Sequence, residues 1–287
     1  MNISLFGTGL MGAPMAIKLH ESGHQVTAYN RTASKLEPLD AAGIATTTDP
    51  IEALQASDCI VVMVTDKTAI ASILFADETV PYLANKTIIQ MGTIAPTHSR
   101  ELHQSVLAAG GDYLEAPVLG SIPQVKDGSL ILMVGATSKQ YQTWEPVLKC
   151  FGPEPMHIGE VGTAATAKLA MNQLIGSLTT AFALSLGFAQ KQGLDIETLM
   201  TIVRQSALYA PTFDKKLQRM CDRNFSNPNF PSKHLLKDMT LFADEASQFG
   251  LDARLAETVS QVVQQAIDMG LADEDYSALF EAIAPAD

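Results

Sequence analysis

The first half of the chain alternates between short apolar runs and segments whose apolar residues recur at helical spacing. The apolar runs cover residues 2–6, 24–30, 58–64, 86–92, 111–120 and 130–136, and the helical segments include 7–23, 68–83 and 96–111. Continuous apolar runs bounded by turn residues are typical of parallel strands covered on both faces. The pattern therefore predicts a doubly wound α/β sheet of the Rossmann type, which continues to about residue 158.

The second half of the chain is helical by the same criterion. Helical spacing covers residues 163–193, 195–207, 211–221, 233–250 and 251–270, and no strand-like alternation interrupts it. A chain of 287 residues suits two domains, since a domain typically has about 100 to 200 residues. We therefore predict a dinucleotide-binding domain over residues 1–160 and an all-α substrate and dimerisation domain over 161–287, which opens with a long interdomain helix.

The segment 161–190 contains a single formal charge, Lys168, in an otherwise apolar and small-residue run. About 20 apolar residues can span a bilayer, but this segment carries too many polar groups for a lone span and lacks flanking basic loops. A helix that is apolar on most sides is buried by protein on most sides. We therefore predict no membrane span, and a homodimer or dimer of dimers in which this helix is covered by the partner.

Composition narrows the classes of function. The formal net charge of −12 would repel nucleic acid, and the three widely spaced cysteines form no CxxC motif or Cys/His cluster that would suggest disulfides or a metal site. The N-terminus lacks the basic region of a secretory signal. The sequence thus predicts a cytoplasmic protein of a reducing compartment that binds no nucleic acid and no metal.

A glycine motif indicates the cofactor. Gly7, Gly9 and Gly12 form G-x-G-x-x-G directly after the first predicted strand and at the start of a helix, with Leu10 and Met11 between the second and third glycines. In this context the glycines permit a tight turn, close approach of the pyrophosphate, and packing of helix on strand. The helix N-terminus then faces the phosphates. The motif predicts that a dinucleotide binds here.

The end of the second strand indicates which dinucleotide. NAD-binding proteins usually hold the ribose with an acidic residue about 20 positions after the glycines, whereas this chain has Asn30, Arg31 and Thr32 there. These side chains offer donors to a 2′-phosphate, which a carboxylate would repel. NADP(H) is therefore preferred over NAD(H), and the alternative is that Arg31 is a solvated loop residue.

Ligands of open α/β sheets bind at the carboxyl ends of the strands. That position places Val64, Thr65, Asp66, Thr93 and the loop after residue 115 near the nicotinamide. On the long helix, Lys168 and Asn172 are four residues apart and so share a face, where an ammonium and an amide could point at one substrate atom. The alternative for Lys168 is a packed stem with its amine in water.

Four separated motifs resemble the β-hydroxyacid dehydrogenase family, which includes 3-hydroxyisobutyrate dehydrogenases and glyoxylate/succinic semialdehyde reductases. They are GTGLMGAPMA with NRT, EAPVLGS, VGTAATAKLAMN, and HLLKDM with DYSAL, in family order across the chain. The resemblance implies that Lys168 is catalytic, together with Asn172, and that Lys237 lies on the cofactor side of the pocket. It further assigns to the substrate pocket Thr93, Leu119, Gly120, Ser121, Phe230 and Asp238.

The chemistry of carbonyl reduction is consistent with that assignment. Negative charge grows on the carbonyl oxygen, and a positioned ammonium both stabilises it and supplies a proton. Burial in an apolar groove should lower the pKa of Lys168 toward working pH. From the sequence, Asp238 could orient either Lys237 or Lys168, whereas His157 and His234 are expected to pack or cap.

Two positions depart from the family pattern. Leu119 stands where many members have a serine that binds the substrate carboxylate, and Gly92 stands where many have serine in D-x-S-T. Ser121 and the N–H groups of the loop could replace the carboxylate contact that Leu119 cannot make, and both changes predict a roomier or less polar pocket. The leading hypothesis is an NADPH-dependent reductase of a small aldehyde or 2-oxo acid. The alternatives are 3-hydroxyisobutyrate dehydrogenation, reduction of a bulkier carbonyl or imine, and a catalytically silent NADP-binding scaffold.

Overall fold

The computed structural model describes residues 1–286 and contains a nine-stranded sheet in the first half of the chain. The strand order is β3-β2-β1-β4-β5-β6-β8-β7, with β9 paired to β8. The strands are β1 (Asn2–Phe6), β2 (Gln25–Tyr29), β3 (Ala45–Thr47), β4 (Cys59–Val62), β5 (Thr87–Gln90), β6 (Asp112–Glu115), β7 (Val118–Leu119), β8 (Ile131–Gly135) and β9 (Met156–Gly159).

Helices cover both faces of this sheet. They are α1 (Gly12–Glu21), α2 (Glu37–Asp40), α3 (Pro50–Gln55), α4 (Lys67–Leu74), α5 (Pro96–Ala108), α6 (Ile122–Asp127) and α7 (Ser138–Leu148). Successive residues of β4 enter different hydrophobic clusters, Val61 on one side and Ile60 and Val62 on the other. Since side chains of a strand alternate between faces, both faces are buried, and the predicted doubly wound fold is confirmed.

The sheet departs from parallel pairing beyond β6. Strands β1 to β6 pair in parallel, but β8 runs antiparallel to both β6 and β7. The apolar run 111–120, which reads as one strand, is divided by Ala116 and Pro117 into β6 and β7. A proline has no N–H to donate to a ladder, so it interrupts the run there. In the antiparallel register Glu115 lies opposite Gly135.

The second half of the chain is helical, as predicted. It contains α8 (Thr163–Lys191), α9 (Ile196–Gln205), α10 (Pro211–Cys221), α11 (Ser232–Gln248), α12 (Arg254–Ala266) and α13 (Leu279–Ile283). The chain forms two compact units, Met1–Lys168 and Leu169–Asp287, here called the sheet unit and the helical unit. The division falls inside α8, so the first turns of that helix belong to the sheet unit. The helical unit has its own core, formed by residues such as Phe182, Leu186 and Phe280.

Helix α8 is long and apolar enough, by length and composition, to cross a membrane. A core helix of a folded protein meets the same criterion, and the packing of α8 within the helical unit is close. A Cβ atom at Gly176 would lie 2.7 Å from Sδ of Met239 on α11. The small residues of α8 therefore allow another helix to approach its backbone.

Candidate active site

Two of the three glycines in the turn after β1 stand where no other residue fits. Gly7 has a φ of +98°, and a Cβ there would lie 2.4 Å from the carbonyl oxygen of Met63, while a Cβ at Gly12 would lie 1.8 Å from the carbonyl oxygen of Gly7. By contrast, nothing lies within 4 Å of a Cβ built at Gly9. Two glycines thus pack the turn against its surroundings, and the middle one leaves space for a ligand.

This turn leads into the N-terminus of α1. Met11 stands at the N-cap without a side-chain hydrogen bond, and the first turn of the helix carries no acidic side chain. Leu10 is exposed, whereas Met11 packs against the core. Helix N-terminal N–H groups that no side chain caps are ready to bind an anion. The residues of this turn therefore fit the pyrophosphate of a dinucleotide.

The turn after β2 is organised by Asn30. Its Nδ2 donates to Oγ1 of Thr8 (2.9 Å), and its Oδ1 accepts from the backbone N–H of Thr32 (2.9 Å). The Asn30 amide thus ties this turn to the glycine loop. Within residues 1–286, the exposed guanidinium of Arg31 makes no hydrogen bond or ion pair with another side chain. Arg31 is therefore a cationic group of this turn that is available to a bound anion.

The segments after β4 and β5 hold further predicted residues. Val64 and Thr93 are half-buried and Thr65 is exposed, whereas Asp66 accepts a hydrogen bond from the N–H of Ala69 (2.8 Å) and caps α4. Asp66 thus has a structural use. The carboxyl ends of β4 and β5 are adjacent in the sheet, so these segments lie on one edge of it.

Gly92 is explained by its neighbours. A Cβ there would lie 2.6 Å from the carbonyl oxygen of Val64. The side chain of Gln90 closes the turn, since its Oε1 accepts from the N–H of Gly92 and its Nε2 donates to the Gly92 carbonyl (3.0 Å). A serine at position 92 would clash, so the glycine and the glutamine form one structural unit.

The loop predicted to hold substrate begins directly after β6. Leu119 is half-buried on β7, and Gly120 has a φ of +128°. The N–H and the hydroxyl of Ser121 both donate to Oε1 of Gln124 (2.9 Å each) at the start of α6. Because its proton is used in this contact, the Ser121 hydroxyl is left as an acceptor rather than a donor.

Glu115, at the end of β6, holds the start of α8. Its Oε1 accepts from the backbone N–H groups of Gly162 (2.8 Å), Ala164 (2.8 Å) and Ala165 (3.1 Å), and its Oε2 accepts from the hydroxyl of Ser99. Glu115 is 1% exposed. Burial raises the pKa of its carboxyl, although the hydrogen bonds from Ser99 and the three N–H groups oppose that shift.

Lys168 lies on α8, five residues after the helix begins, and is half-buried. It belongs to the same compact unit as the glycine turn, the strand ends and the loop 116–121. The lowered pKa that we predict for Lys168 stays a prediction.

The helical unit contains a second group of predicted residues. Nδ2 of Asn172 donates to Oδ2 of Asp238 (2.6 Å), and both residues are 2% exposed. Oδ1 of Asp238 lies 2.9 Å from Nζ of Lys237. Asp238 thus contacts Lys237, one of the two lysines that the sequence allowed it to orient, and also Asn172, a contact that the sequence did not predict.

Phe230 lies beside this group. Its ring contacts the ring of Tyr276 edge-on at 5.6 Å and stacks on the imidazole of His234 at 6.4 Å. Burial lowers the pKa of His234, and the positive charge of Lys237 adds to that effect. The expectation that His234 has a packing role is consistent with these ring contacts.

The predicted residues therefore form two groups, one in each unit. The sheet unit holds Gly7, Gly9, Leu10, Met11, Gly12, Asn30, Arg31, Thr32, Val64, Thr65, Thr93, Leu119, Gly120, Ser121 and Lys168, and the helical unit holds Asn172, Phe230, Lys237 and Asp238. Helix α8 continues from one group to the other. Reasoning from the sequence missed Glu115 and the glutamines Gln90 and Gln124, since each acts through a backbone or loop partner. The only sequence signal for Glu115 is a charged residue at the end of an otherwise apolar run.

The glycine turn on a doubly wound sheet defines a dinucleotide-binding protein of the Rossmann class. Residues 2–159 match the family model described as the NAD binding domain of 6-phosphogluconate dehydrogenase. Residues 162–283 match the model described as NAD-binding of NADP-dependent 3-hydroxyisobutyrate dehydrogenase. Together these two models account for nearly the whole chain.

Comparisons over the full chain agree. Glyoxylate/succinic semialdehyde reductase 1 of Arabidopsis thaliana is 30% identical over 285 residues, which is 99% of this chain and 98% of that protein. The 2-hydroxy-3-oxopropionate reductase of Escherichia coli strain K12 is 31% identical over 288 residues, with 99% and 97% covered. The solved structure of a Mycobacterium tuberculosis 3-hydroxyisobutyrate dehydrogenase has the same fold, with a TM-score of 0.88 at 23% identity and 99% of each chain covered.

The chain belongs to the β-hydroxyacid dehydrogenase family, as its motifs indicated. It is therefore an NAD(P)-dependent dehydrogenase or reductase that uses a nicotinamide cofactor.

Proposed function

We propose that this protein is an NADPH-dependent reductase that converts a small aldehyde or 2-oxo acid to the hydroxy acid, with Lys168 as the general acid. The observation that carries the proposal is the position of Lys168. A half-buried lysine stands near the start of α8, in the unit that also holds the glycine turn and the loop 116–121. A cation beside the bound nicotinamide would suit the stabilisation of a developing oxyanion.

The side chains divide the work of the reaction. The bound nicotinamide would supply the hydride. The Lys168 ammonium stabilises negative charge on the substrate oxygen and donates the proton. Asn172 lies one turn farther along α8, and Asp238 fixes the orientation of its amide through the 2.6 Å hydrogen bond. An amide held in this way presents a defined group to substrate without rearrangement.

The preference for NADPH rests on the turn after β2. Asn30 organises that turn, and the exposed Arg31 has no carboxylate partner within residues 1–286. A guanidinium can form two charge-assisted hydrogen bonds to a phosphate, which the NAD ribose lacks.

The substrate class follows from the relatives and from the loop after β6. Relatives that match over nearly the full length of both chains include proteins named as reductases of glyoxylate, succinic semialdehyde and 2-hydroxy-3-oxopropionate. A second candidate, the reduction of a bulkier carbonyl or imine, is favoured by Leu119 and Gly92, which remove two hydroxyl groups from the positions where many family members have serine. The retained Lys168 favours a carbonyl over an imine.

Replacement of Lys168 tests the proposed function. Lys168→Met should keep the length and apolar packing of the side chain while kcat falls about 10²- to 10⁴-fold, the range that a general acid supplies. The dissociation constant of NADPH, measured by its fluorescence, should change little. The exposed Lys215 of α10 provides a matched control, since Lys215→Met should leave both values unchanged. Near-normal turnover of Lys168→Met would refute the role.

A substrate panel separates the candidates. Oxidation of NADPH is followed with glyoxylate, succinic semialdehyde, a bulky aldehyde and a cyclic imine, and reduction of NADP with 3-hydroxyisobutyrate. We expect the highest kcat/KM with one of the first two. A preference for the imine or the bulky aldehyde would select the second candidate, and a protein that binds NADPH without turning over any compound would be a scaffold.

We also propose a homodimer or dimer of dimers. In the helical unit, α8 exposes a row of apolar side chains at helical spacing: Met171, Leu174, Leu178, Leu184 and Phe188. Contiguous exposed apolar surface of this kind marks an interface, and a second copy of the chain is the proposed occupant.

A further inference from the structure

The N-terminus of α8 is capped from a distant part of the chain. The residue at the N-cap position, Gly162, has no side chain that could accept the free N–H groups of the first turn. Glu115 accepts three of these N–H groups with one carboxylate oxygen. The remaining N–H, that of Thr163, bonds to the carbonyl of Glu160 (3.1 Å). Every N–H of the first turn is thus satisfied, and most of them by a single residue of the sheet.

The surroundings of Glu115 hold the carboxylate in one position. Ser99 of α5 donates to Oε2, and the hydroxyl of Tyr113 lies 2.8 Å from Oγ of Ser99. On the opposite strand, a Cβ at Gly135 would lie 2.4 Å from Oε1 of Glu115. The absence of a side chain at Gly135 thus makes room for the carboxylate, which has hydrogen bonds on both oxygens.

This site joins two segments of the proposed chemistry. Glu115 is the last residue of β6, and the loop predicted to hold substrate follows directly at residues 116–121. Lys168 lies three residues after Ala165, which is the last backbone group that Glu115 holds. A change in the position of the helix start would move Lys168 relative to that loop and to the strand ends.

We infer that Glu115 is a positioning residue for Lys168, which sets the start of α8 against the edge of the sheet so that the ammonium stands at the correct place beside the substrate loop. The inference rests on the proposed role of Lys168 as general acid. A displacement of a catalytic group by about 1 Å can cost about 10²-fold in rate. Loss of the cap should therefore lower kcat far more than it weakens cofactor binding.

Three variants of Glu115 provide the first test. Glu115→Ala should lower kcat about 10²-fold, with the dissociation constant of NADPH within about twofold of the wild type. Glu115→Gln keeps the side-chain length and one acceptor oxygen, and its Nε2 can donate to Ser99, so kcat should recover to within about fivefold of the wild type. Glu115→Asp is too short to reach the three N–H groups and should stay impaired. Should the alanine variant fail to fold, the comparison of Gln with Asp decides, and equal kcat values of those two would overturn the inference.

A double-mutant cycle shows whether Glu115 acts through Lys168. If it does, adding Glu115→Ala to Lys168→Met should not lower the residual rate further, measured by single-turnover oxidation of NADPH at high enzyme concentration. A loss in the double mutant equal to that in the single mutant would instead show a general structural effect and overturn the inference.

A cap elsewhere in the chain is the matched control. Asp195 caps α9 by accepting from the N–H of Thr198 (2.8 Å), so Asp195→Ala should lower stability and leave kcat unchanged. The two hypotheses fail separately. Normal turnover of Lys168→Met would refute the proposed function, whereas normal turnover of Glu115→Ala beside an inactive Lys168→Met would refute only the positioning role.

Discussion

Several side chains in the sheet unit are used to hold backbone in place, which leaves few of them for a ligand. The amide of Asn30 is hydrogen-bonded to Thr8 and Thr32, and Asp66 caps α4. The hydroxyl of Ser121 donates a hydrogen bond to Gln124. Arg31 differs from them because its donors have no partner within the described residues. At the scale of single residues, it is therefore the best candidate for a group that a bound cofactor recognises.

Replacement of Arg31 by an acid tests this recognition. Arg31→Asp should raise the KM for NADPH about 10- to 100-fold, since a charge-assisted hydrogen bond contributes about 1.5–3 kcal/mol. The KM for NADH should fall or stay the same, because an aspartate can accept from the ribose hydroxyls. Steady-state kinetics with both cofactors measure the ratio of the KM for NADPH to the KM for NADH.

The control for Arg31→Asp is an equal change of charge elsewhere. Lys139 is exposed in the first turn of α7, where an acidic residue is favourable, so Lys139→Asp should leave both KM values unchanged. An unchanged cofactor ratio in Arg31→Asp would remove the assignment of NADP and make Arg31 a solvated loop residue.

At the scale of elements, α8 depends on a buried acid for its start. Because burial raises the pKa of Glu115, the folded protein binds this proton more tightly than the unfolded chain does. The stability that this titration contributes is fully present below the unfolded pKa and is lost as pH rises through the folded pKa. A glutamate occupies this position although its ionised form is costly to bury. This fits a residue that positions the start of α8 rather than one that stabilises the fold.

Glu115→Gln removes this titration and so tests its sign. The quantity to follow is the free energy of unfolding of the wild type minus that of Glu115→Gln. It should decrease as pH rises from below about 4.5. The total decrease should be about 1.4 kcal/mol for each unit by which folding raises the pKa of Glu115. Urea unfolding at a series of pH values measures it. Two other titratable groups lie near Glu115. His103, whose pKa burial lowers, titrates in both proteins, and Tyr113, whose pKa burial raises, stays protonated over this pH range. A difference that grows with pH would show that the hydrogen bonds lower the pKa of Glu115.

In the turn after β5, an uncharged side chain holds the backbone in place. Gln90 bonds both the N–H and the carbonyl of Gly92, while Val64 leaves no room for a Cβ at position 92. In this chain Gln90 and Gly92 therefore depend on each other. The effect of Gly92 on substrate choice depends on the hydroxyl that the turn no longer carries.

At the scale of the whole molecule, the exposed apolar row on α8 contrasts with the net charge of −12. Phe188 and Leu184 are 68% and 62% exposed, far more than large apolar residues of a core helix should be. A second copy of the chain that covers this row would remove both from water. The proposed oligomer therefore accounts for a helix that is apolar on most sides.

A charge within the apolar row should dissociate the oligomer. Phe188→Glu should weaken self-association by about 2 kcal/mol or more, as the loss of a central interface residue typically does. Light scattering at micromolar concentration should then report a monomer, whereas we expect a dimer or tetramer for the wild type. Leu107 of α5 is also exposed, at 45%, and Leu107→Glu serves as the control that keeps the wild-type mass. A monomeric wild type would contradict the proposal.

The pattern along the chain was sufficient for the architecture and for the dinucleotide turn. Strands β1, β4 and β5, the helices α5 and α8, and the three glycines depend on local periodicity and on backbone conformations that neighbouring residues impose. The family was likewise readable from the sequence, because each of its motifs is a short contiguous run of residues.

The fold was needed wherever two distant parts of the chain share one hydrogen bond. Glu115 and Gly162 are 47 residues apart, and Asn172 and Asp238 are 66 apart. A residue that caps a remote helix has no periodic neighbour that reveals its partner, and the direction of β8 leaves no trace in an apolar run that is buried on both faces. Such contacts exist only once packing has excluded water from both groups, because it is burial that makes an unpaired N–H or carboxylate costly.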